Sequence, residues 1–204
     1  MKFYMTPGSC STGAHILLEE AGLVFEAHIV NPVKGDRLKP DYLAINPHGT
    51  IPTLLRDDGV SLTDFVSIAT WIAEAFPRRK LLPKERASRE AALATMAFCV
   101  GHIHGEGFRR IFVPERYGSN GADLEAIKAE GHAIVASALT AIDSELRGKD
   151  YLAGGFSIAD AALFYDEFWA DKIGMALPPA CLAHYQLMRR RPAVRQVLAE
   201  EGYR

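Results

Sequence analysis

Residues 2–12, KFYMTPGSCST, decide how the chain is read. Lys2-Phe3-Tyr4-Met5 is a short apolar run of strand character. Pro7 and Gly8 break it, and a helical pattern opens near Ser11. Ser11 is placed to cap a helix that passes through Leu17, Leu18 and Ala21 and stops at Gly22. Val24 to Val30 then reads as a second strand bounded by Asn31-Pro32. Thr53-Leu54-Leu55-Arg56 and Val60-Ser61-Leu62-Thr63 flank Asp57-Asp58-Gly59, a hairpin signal. Residues 64–76 return to helical spacing, with Ile68, Ile72 and Ala75 on one side. The order β-α-β followed by β-β-α predicts a small mixed sheet of α/β type with helices packed on it.

From about residue 86 the strand pattern disappears. Helices are expected over 86–112, 121–147, 157–173, 179–190 and 193–201. The proline- and charge-rich stretch 76–84 reads as the linker, which gives a first domain over 1–80 and an all-helical second domain over 86–204. Eighty residues are marginal for an independent core, so the first domain is expected to lean on the second. Ser157-Ile158-Ala159-Asp160 has the form of a capping box, with Asp in place of Glu, ahead of Ala161-Ala162-Leu163-Phe164.

Composition narrows the function classes. A formal charge of −2 with 24 % charged residues leaves no electrostatic footprint for nucleic acid or an anionic membrane. The run Arg189-Arg190-Arg191 is expected to be a solvated helix end. Cys10, Cys99 and Cys181 are odd in number and widely spaced, which argues against a disulfide framework and against a zinc site, and free thiols fit a reducing compartment. The first residues lack the apolar core of a secretory signal and no stretch is long enough to span a bilayer, so a cytoplasmic protein is expected. His102 and His104 do not share a helix face, the other histidines show no ligand spacing, and no metal is expected.

Three features of the first domain could carry chemistry. Cys10 lies at a helix amino terminus, where the dipole favours a thiolate, although taken alone small-residue packing is the favoured reading. Ile51-Pro52 opens a strand and is a place for a cis peptide, whose turned-out backbone could pair with an extended peptide; an ordinary turn proline is the other reading. Asp64 opens a helix whose free amides could hold a carboxylate while its side chain meets an ammonium group, or it is simply a helix-start acid.

Taken in order, Pro7-Gly8-Ser9-Cys10-Ser11, Asn46-Pro47-His48-Gly49-Thr50-Ile51-Pro52, Leu62-Thr63-Asp64, Phe156 to Ala161, Arg191-Pro192-Ala193-Val194 and Glu201-Gly202 resemble the cytosolic glutathione S-transferases, most closely the bacterial beta class. The resemblance spans essentially the whole chain. It implies a thioredoxin-like domain with a four-stranded mixed sheet, then an all-helical domain, assembled as a homodimer. It also implies glutathione as co-substrate, its thiol activated for conjugation to a small electrophile in detoxification. Cys10 and Ser11 match the catalytic positions, and Ser9, Lys34, His48, Ile51, a cis Pro52, Asp64, Phe65 and His104 match the glutathione-binding ones. Cys10 could also run glutathione-dependent thiol–disulfide exchange. The helix bearing Phe98, His104, Phe108 and Phe112 could wall the electrophile site or simply be core.

The chain departs from the pattern at Phe65, where relatives carry serine or glycine, and at Asp64, where Glu is commoner. Loss of the hydroxyl contact would weaken glutathione binding by about 1.5–3 kcal/mol. A ring filling the glutamyl pocket would leave a catalytically silent interaction module, the alternative to an enzyme.

Overall fold

The structure is a computed structural model that describes residues 1–118 and 120–203, with Ala122 described by its backbone alone. Strand β1 (Lys2–Met5) is followed by helix α1 (Ser11–Ala21) and strand β2 (Glu26–Ile29). Phe3 and Met5 of β1 point inward while Lys2 is exposed, the alternation expected of a half-buried strand. Gly22 ends α1 in the left-handed conformation, φ 67°, which only glycine adopts without strain. A short helix, α2 (Pro40–Leu43), which the sequence pattern did not reveal, precedes β3 (Thr53–Leu55) and β4 (Ser61–Leu62). The sheet order is β2-β1-β3-β4. β1 pairs with β2 in parallel and with β3 antiparallel, and β3 with β4 antiparallel. This is the four-stranded mixed sheet expected.

Helix α3 (Phe65–Ala75) buries Phe65, Ile68, Ala69 and Ile72, whereas Ala75 of the expected stripe is exposed at its end. Beyond it every regular element described is helical: α4 (Arg86–Phe98), a π-helical stretch Cys99–Phe108, α5 (Arg109–Phe112), α6 (Gly121–Leu146), α7 (Ile158–Lys172), α8 (Pro179–Arg190) and α9 (Pro192–Glu200), with one 3-10 turn between α5 and α6. The expected helix 86–112 is therefore continuous, but its middle is wound with five-residue hydrogen-bond spacing.

The first turn of α7 is fixed by the expected capping box. The Asp160 carboxylate accepts from the Ser157 amide at 2.8 Å, and the Ser157 hydroxyl accepts from the Ala159 amide at 3.3 Å. From Ile158 to Ala170 α7 is buried on every side, so it forms the axis of the molecule. α1 packs against it and against α9, and α3 also touches α7. The small first domain thus completes its core on the second. The Ile158 amide donates to the Leu81 carbonyl at 3.0 Å, stitching the linker to the start of α7.

The expectation of a solvated Arg189–Arg191 end is corrected at Arg191. Its guanidinium pairs with Glu20 at 2.8 Å, donates to the Tyr151 hydroxyl at 2.7 Å, and lies 4.1 Å from the centre of the Phe156 ring. With one partner on α1 and two in the helical domain, it is a clamp between them rather than a solvated charge.

Candidate active site

The turn between β1 and α1 is held by its own hydroxyls. Ser11 is fully buried; its Oγ donates to the Thr6 carbonyl at 2.9 Å, accepts from the Thr6 amide at 3.1 Å, and lies 2.7 Å from Ser9 Oγ. Cys10, not Ser11, occupies the N-cap position, and it makes no side-chain cap. The Ser11 hydroxyl is therefore engaged in shaping the turn that carries Cys10.

Three groups from the helical domain and the carboxyl-terminal tail hold this turn from outside. The Trp169 indole Nε1 donates to the Gly8 carbonyl at 2.8 Å, and Glu201 accepts from the Gly8 amide at 2.8 Å and from the Thr12 hydroxyl at 2.6 Å. Tyr203 lies so close that a Cβ on Gly8 would meet its hydroxyl at 2.0 Å, and Gly8 has φ 71°. Only glycine fits there.

Cys10 Sγ lies 3.7 Å from the Ile51 carbonyl, and the Ile51–Pro52 bond is cis. Asn46 fixes this loop by donating from Nδ2 to the Thr50 carbonyl and to Thr53 Oγ1, both at 2.9 Å, while its Oδ1 accepts from the His48 amide at 3.0 Å. Thr50 Oγ1 donates to the Thr63 carbonyl at 3.2 Å and so ties the proline loop to the residue before Asp64. Asp64 caps α3 by accepting from the Ser67 amide at 2.8 Å. Its carboxylate is exposed, beside the first-turn amides of Phe65 and Val66.

The alternative in which the Phe65 ring obstructs this corner is overturned. Its ring is 3 % exposed and stacks edge-on against Tyr165 at 5.5 Å between centroids. A Cβ on Gly13 of α1 would meet the ring at 2.8 Å. The side chain is a core residue between α1 and α7, and its backbone amide alone faces the helix start. The reading of a silent module, which rested on that ring, loses its support.

The expectation of a ready thiolate at Cys10 is also corrected. Burial pushes the Cys10 thiol up to about 12, Asp166 adds to the rise, and the amides of Cys10 and Ser11 pull the other way without prevailing. Desolvation outweighs the helix dipole here. Asp166 itself is fully buried with neither carboxyl oxygen hydrogen-bonded, and burial followed by the neighbouring Glu167 holds its pKa well above the carboxylate range.

His104 projects from the π-helical stretch. Its Nδ1 lies 3.4 Å from the Tyr165 hydroxyl and its ring stands edge-on to Trp169 at 4.9 Å. Burial, with Arg109 adding, pulls its pKa down to about 4, so it is a neutral imidazole near pH 7. Phe108 is fully buried and belongs to the core. Phe112, 46 % exposed, stacks on Phe108 and stands edge-on to Trp169 at 5.3 Å. Phe98 stacks on His102 at 5.1 Å. Lys34 and His48 are exposed on their loops. Sequence reasoning missed Trp169, Tyr165 and Asp166; the one signal for them was a buried helix that carries Tyr165 and Trp169 four residues apart.

A thioredoxin-like sheet whose cis-proline loop faces a cysteine at a helix start, packed on an all-helical domain, defines the class of fold. Residues 8–75 match the family model described as glutathione S-transferase, N-terminal domain, and residues 125–200 the model for the C-terminal domain. The chain is 34 % identical over 208 residues to glutathione S-transferase GstA of Escherichia coli O157:H7, covering 99 % of both. Its fold is similar to that of a Sulfitobacter glutathione transferase homolog with bound glutathione (27 % identity, TM-score 0.91, 98 % of this chain and 97 % of that one). It is similar also to the bacterial beta class glutathione S-transferase of Sphingomonas chungbukensis (31 % identity, TM-score 0.86, 99 % of each). The chain belongs to the glutathione S-transferase family.

Proposed function

We propose that this protein is a glutathione transferase that presents the glutathione thiol to a small electrophile. The observation that carries the reading is the facing of Cys10 Sγ and the Ile51 carbonyl at 3.7 Å, ahead of a cis Pro52. An extended tripeptide would pair its cysteinyl backbone with Ile51, as in strand addition. Its glutamyl carboxylate would meet the first-turn amides of α3, and its ammonium group would meet Asp64. Ser9, Lys34 and His48 would serve the remainder of the tripeptide, with Lys34 at the glycine end and His104 approaching from the helical domain.

Electrostatics favour conjugation over exchange. In the free protein the Cys10 thiol faces the Ile51 carbonyl; with glutathione bound it would turn and donate S–H to the glutathione sulfur. A neutral donor beside the amides of a helix start stabilises the glutathione thiolate, which is the nucleophile. The thiolate then forms the new bond to the electrophile while the leaving group departs with the bonding pair. Exchange needs Cys10 itself as the thiolate, attacking a glutathione disulfide and releasing glutathione thiolate, and burial opposes that state. The exposed face of Phe112 beside Trp169 and His104 suits an aromatic electrophile.

The same reading includes a homodimer, a cytoplasmic setting, a detoxifying role, and a linker between domains over residues 76–84. Among the described residues no helix is long and apolar enough to cross a membrane. The test is conjugation of glutathione to an aryl halide, with retention on immobilised glutathione and release by free glutathione. Turnover with retention supports the reading, and absence of both overturns it.

A further inference from the structure

His15 and Glu19 stand one turn apart on α1, and Glu200 reaches them from the end of α9. One ligand atom from each of the three lies within 4.8 Å of the others, and His15 Nε2 is 3.3 Å from Glu200 Oε2. His15 is 3 % exposed, whereas Glu19 is half-buried and Glu200 exposed, so the group opens to solvent on the carboxylate side. The other ring nitrogen, Nδ1, lies 3.0 Å from the buried Glu201 carboxylate.

We propose that His15 Nε2, Glu19 and Glu200 form a binding site for a divalent transition cation of the zinc type, with Glu201 orienting the imidazole. With Glu201 accepting from Nδ1, Nε2 is the ring nitrogen that an ion would use, on the side where Glu200 stands. Zinc with bonds of about 2.0–2.1 Å places its ligand atoms roughly 3.3 Å apart, the separation found between His15 and Glu200. Imidazole nitrogen and carboxylate oxygen are both ligands that zinc accepts, a carboxylate behind the imidazole is the usual partner of a metal-bound histidine, and water would complete the shell. Spacing along the chain hid the group because its third member comes from the opposite end of the sequence. Since Glu201 also holds Gly8 and Thr12, the ion would pin the carboxyl-terminal tail to the turn that carries Cys10.

The test is calorimetric titration of zinc chloride into the untagged, metal-free protein, with Glu19→Gln, Glu200→Gln and Cys10→Ala variants titrated alongside. Glu200 is exposed and Glu19 half-buried, so their isosteric variants are expected to keep the fold, which circular dichroism checks. The expected result is one zinc per chain, weakened by about tenfold or more in each glutamine variant and retained in Cys10→Ala. The proposal is overturned by no stoichiometric binding. It is equally overturned by binding that survives both glutamine changes, or that disappears with Cys10.

Discussion

The Trp169 indole donates to the Gly8 carbonyl at 2.8 Å, so a side chain of the buried α7 helix directly fixes the turn that presents Cys10. The same indole stands edge-on to His104, Tyr165 and Phe112. One residue thus couples the thiol corner, the imidazole and the exposed aromatic face. Trp169→Phe removes the bond and leaves most of the ring volume. It is expected to lower stability by about 1–3 kcal/mol and to depress kcat/KM for conjugation; urea denaturation and steady-state kinetics are the checks. Unchanged kinetics would separate the turn from the indole.

Phe65 is core, and its replacement should show it. Phe65→Ser is expected to destabilise the fold by about 3–5 kcal/mol, with no gain in glutathione affinity measured on the folded fraction. A tighter site in the serine variant would mean that the ring had been obstructing glutathione.

His104 titrates at about 4 in the folded chain, against 6.5 for the free side chain. Between those values the unfolded chain takes up a proton that the folded one refuses, so stability declines as pH falls through that window. His104→Gln should flatten this limb of the stability–pH curve, and the His104 ring resonance should show no titration step near 6.5.

A second buried cluster lies on the other side of α7. His184 Nδ1 pairs with Glu167 at 2.9 Å, and its Nε2 lies 3.3 Å from Asp160 Oδ1, off the line of a hydrogen bond. Burial lowers the His184 pKa, but Glu167 and Asp160 outweigh it and raise the pKa to about 10; burial, opposed by His184, brings Glu167 to about 6. The contribution of His184 is fully present below 6.5 and is lost as pH rises from there to about 10. Glu167→Gln strands the cation and is expected to cost about 3–5 kcal/mol, read by thermal or urea denaturation at pH 7. A loss under 1 kcal/mol would mean that the pair is not ionised there.

Cys10→Ala removes one weak S–H donor from the proposed glutathione sulfur site. Conjugation is expected to fall about five- to tenfold, in line with roughly 1 kcal/mol, while any mixed disulfide seen by mass spectrometry after glutathione disulfide treatment disappears. Abolished conjugation would mean that Cys10 does more than donate.

Much of this was legible because local signals agreed with the fold. The breakers at Pro7-Gly8, the stop at Gly22, the Asp-Gly hairpin and the Ser157–Asp160 box each act within a few residues, and the helix pattern after 86 has nothing competing with it. The cis Pro52 came from the resemblance, since its alternative as a turn proline is locally just as good. Long-range direction was hidden. Phe65 could point into the pocket or the core, and only the open slot over Gly13 decided it. Arg191 looked like a solvated end until Glu20 and Phe156 closed on it. The thiol of Cys10 was misjudged because a helix start can be read from sequence, whereas the depth of burial that overrides it cannot.

The structure of the protein crystallised with glutathione bears on all of this at once. The account predicts the tripeptide extended along β3, its cysteinyl backbone paired with Ile51, its sulfur beside Cys10 Sγ, and the Phe65 ring still against Tyr165. Glutathione bound elsewhere, or a Phe65 ring swung outward with no tripeptide at the corner, would contradict it.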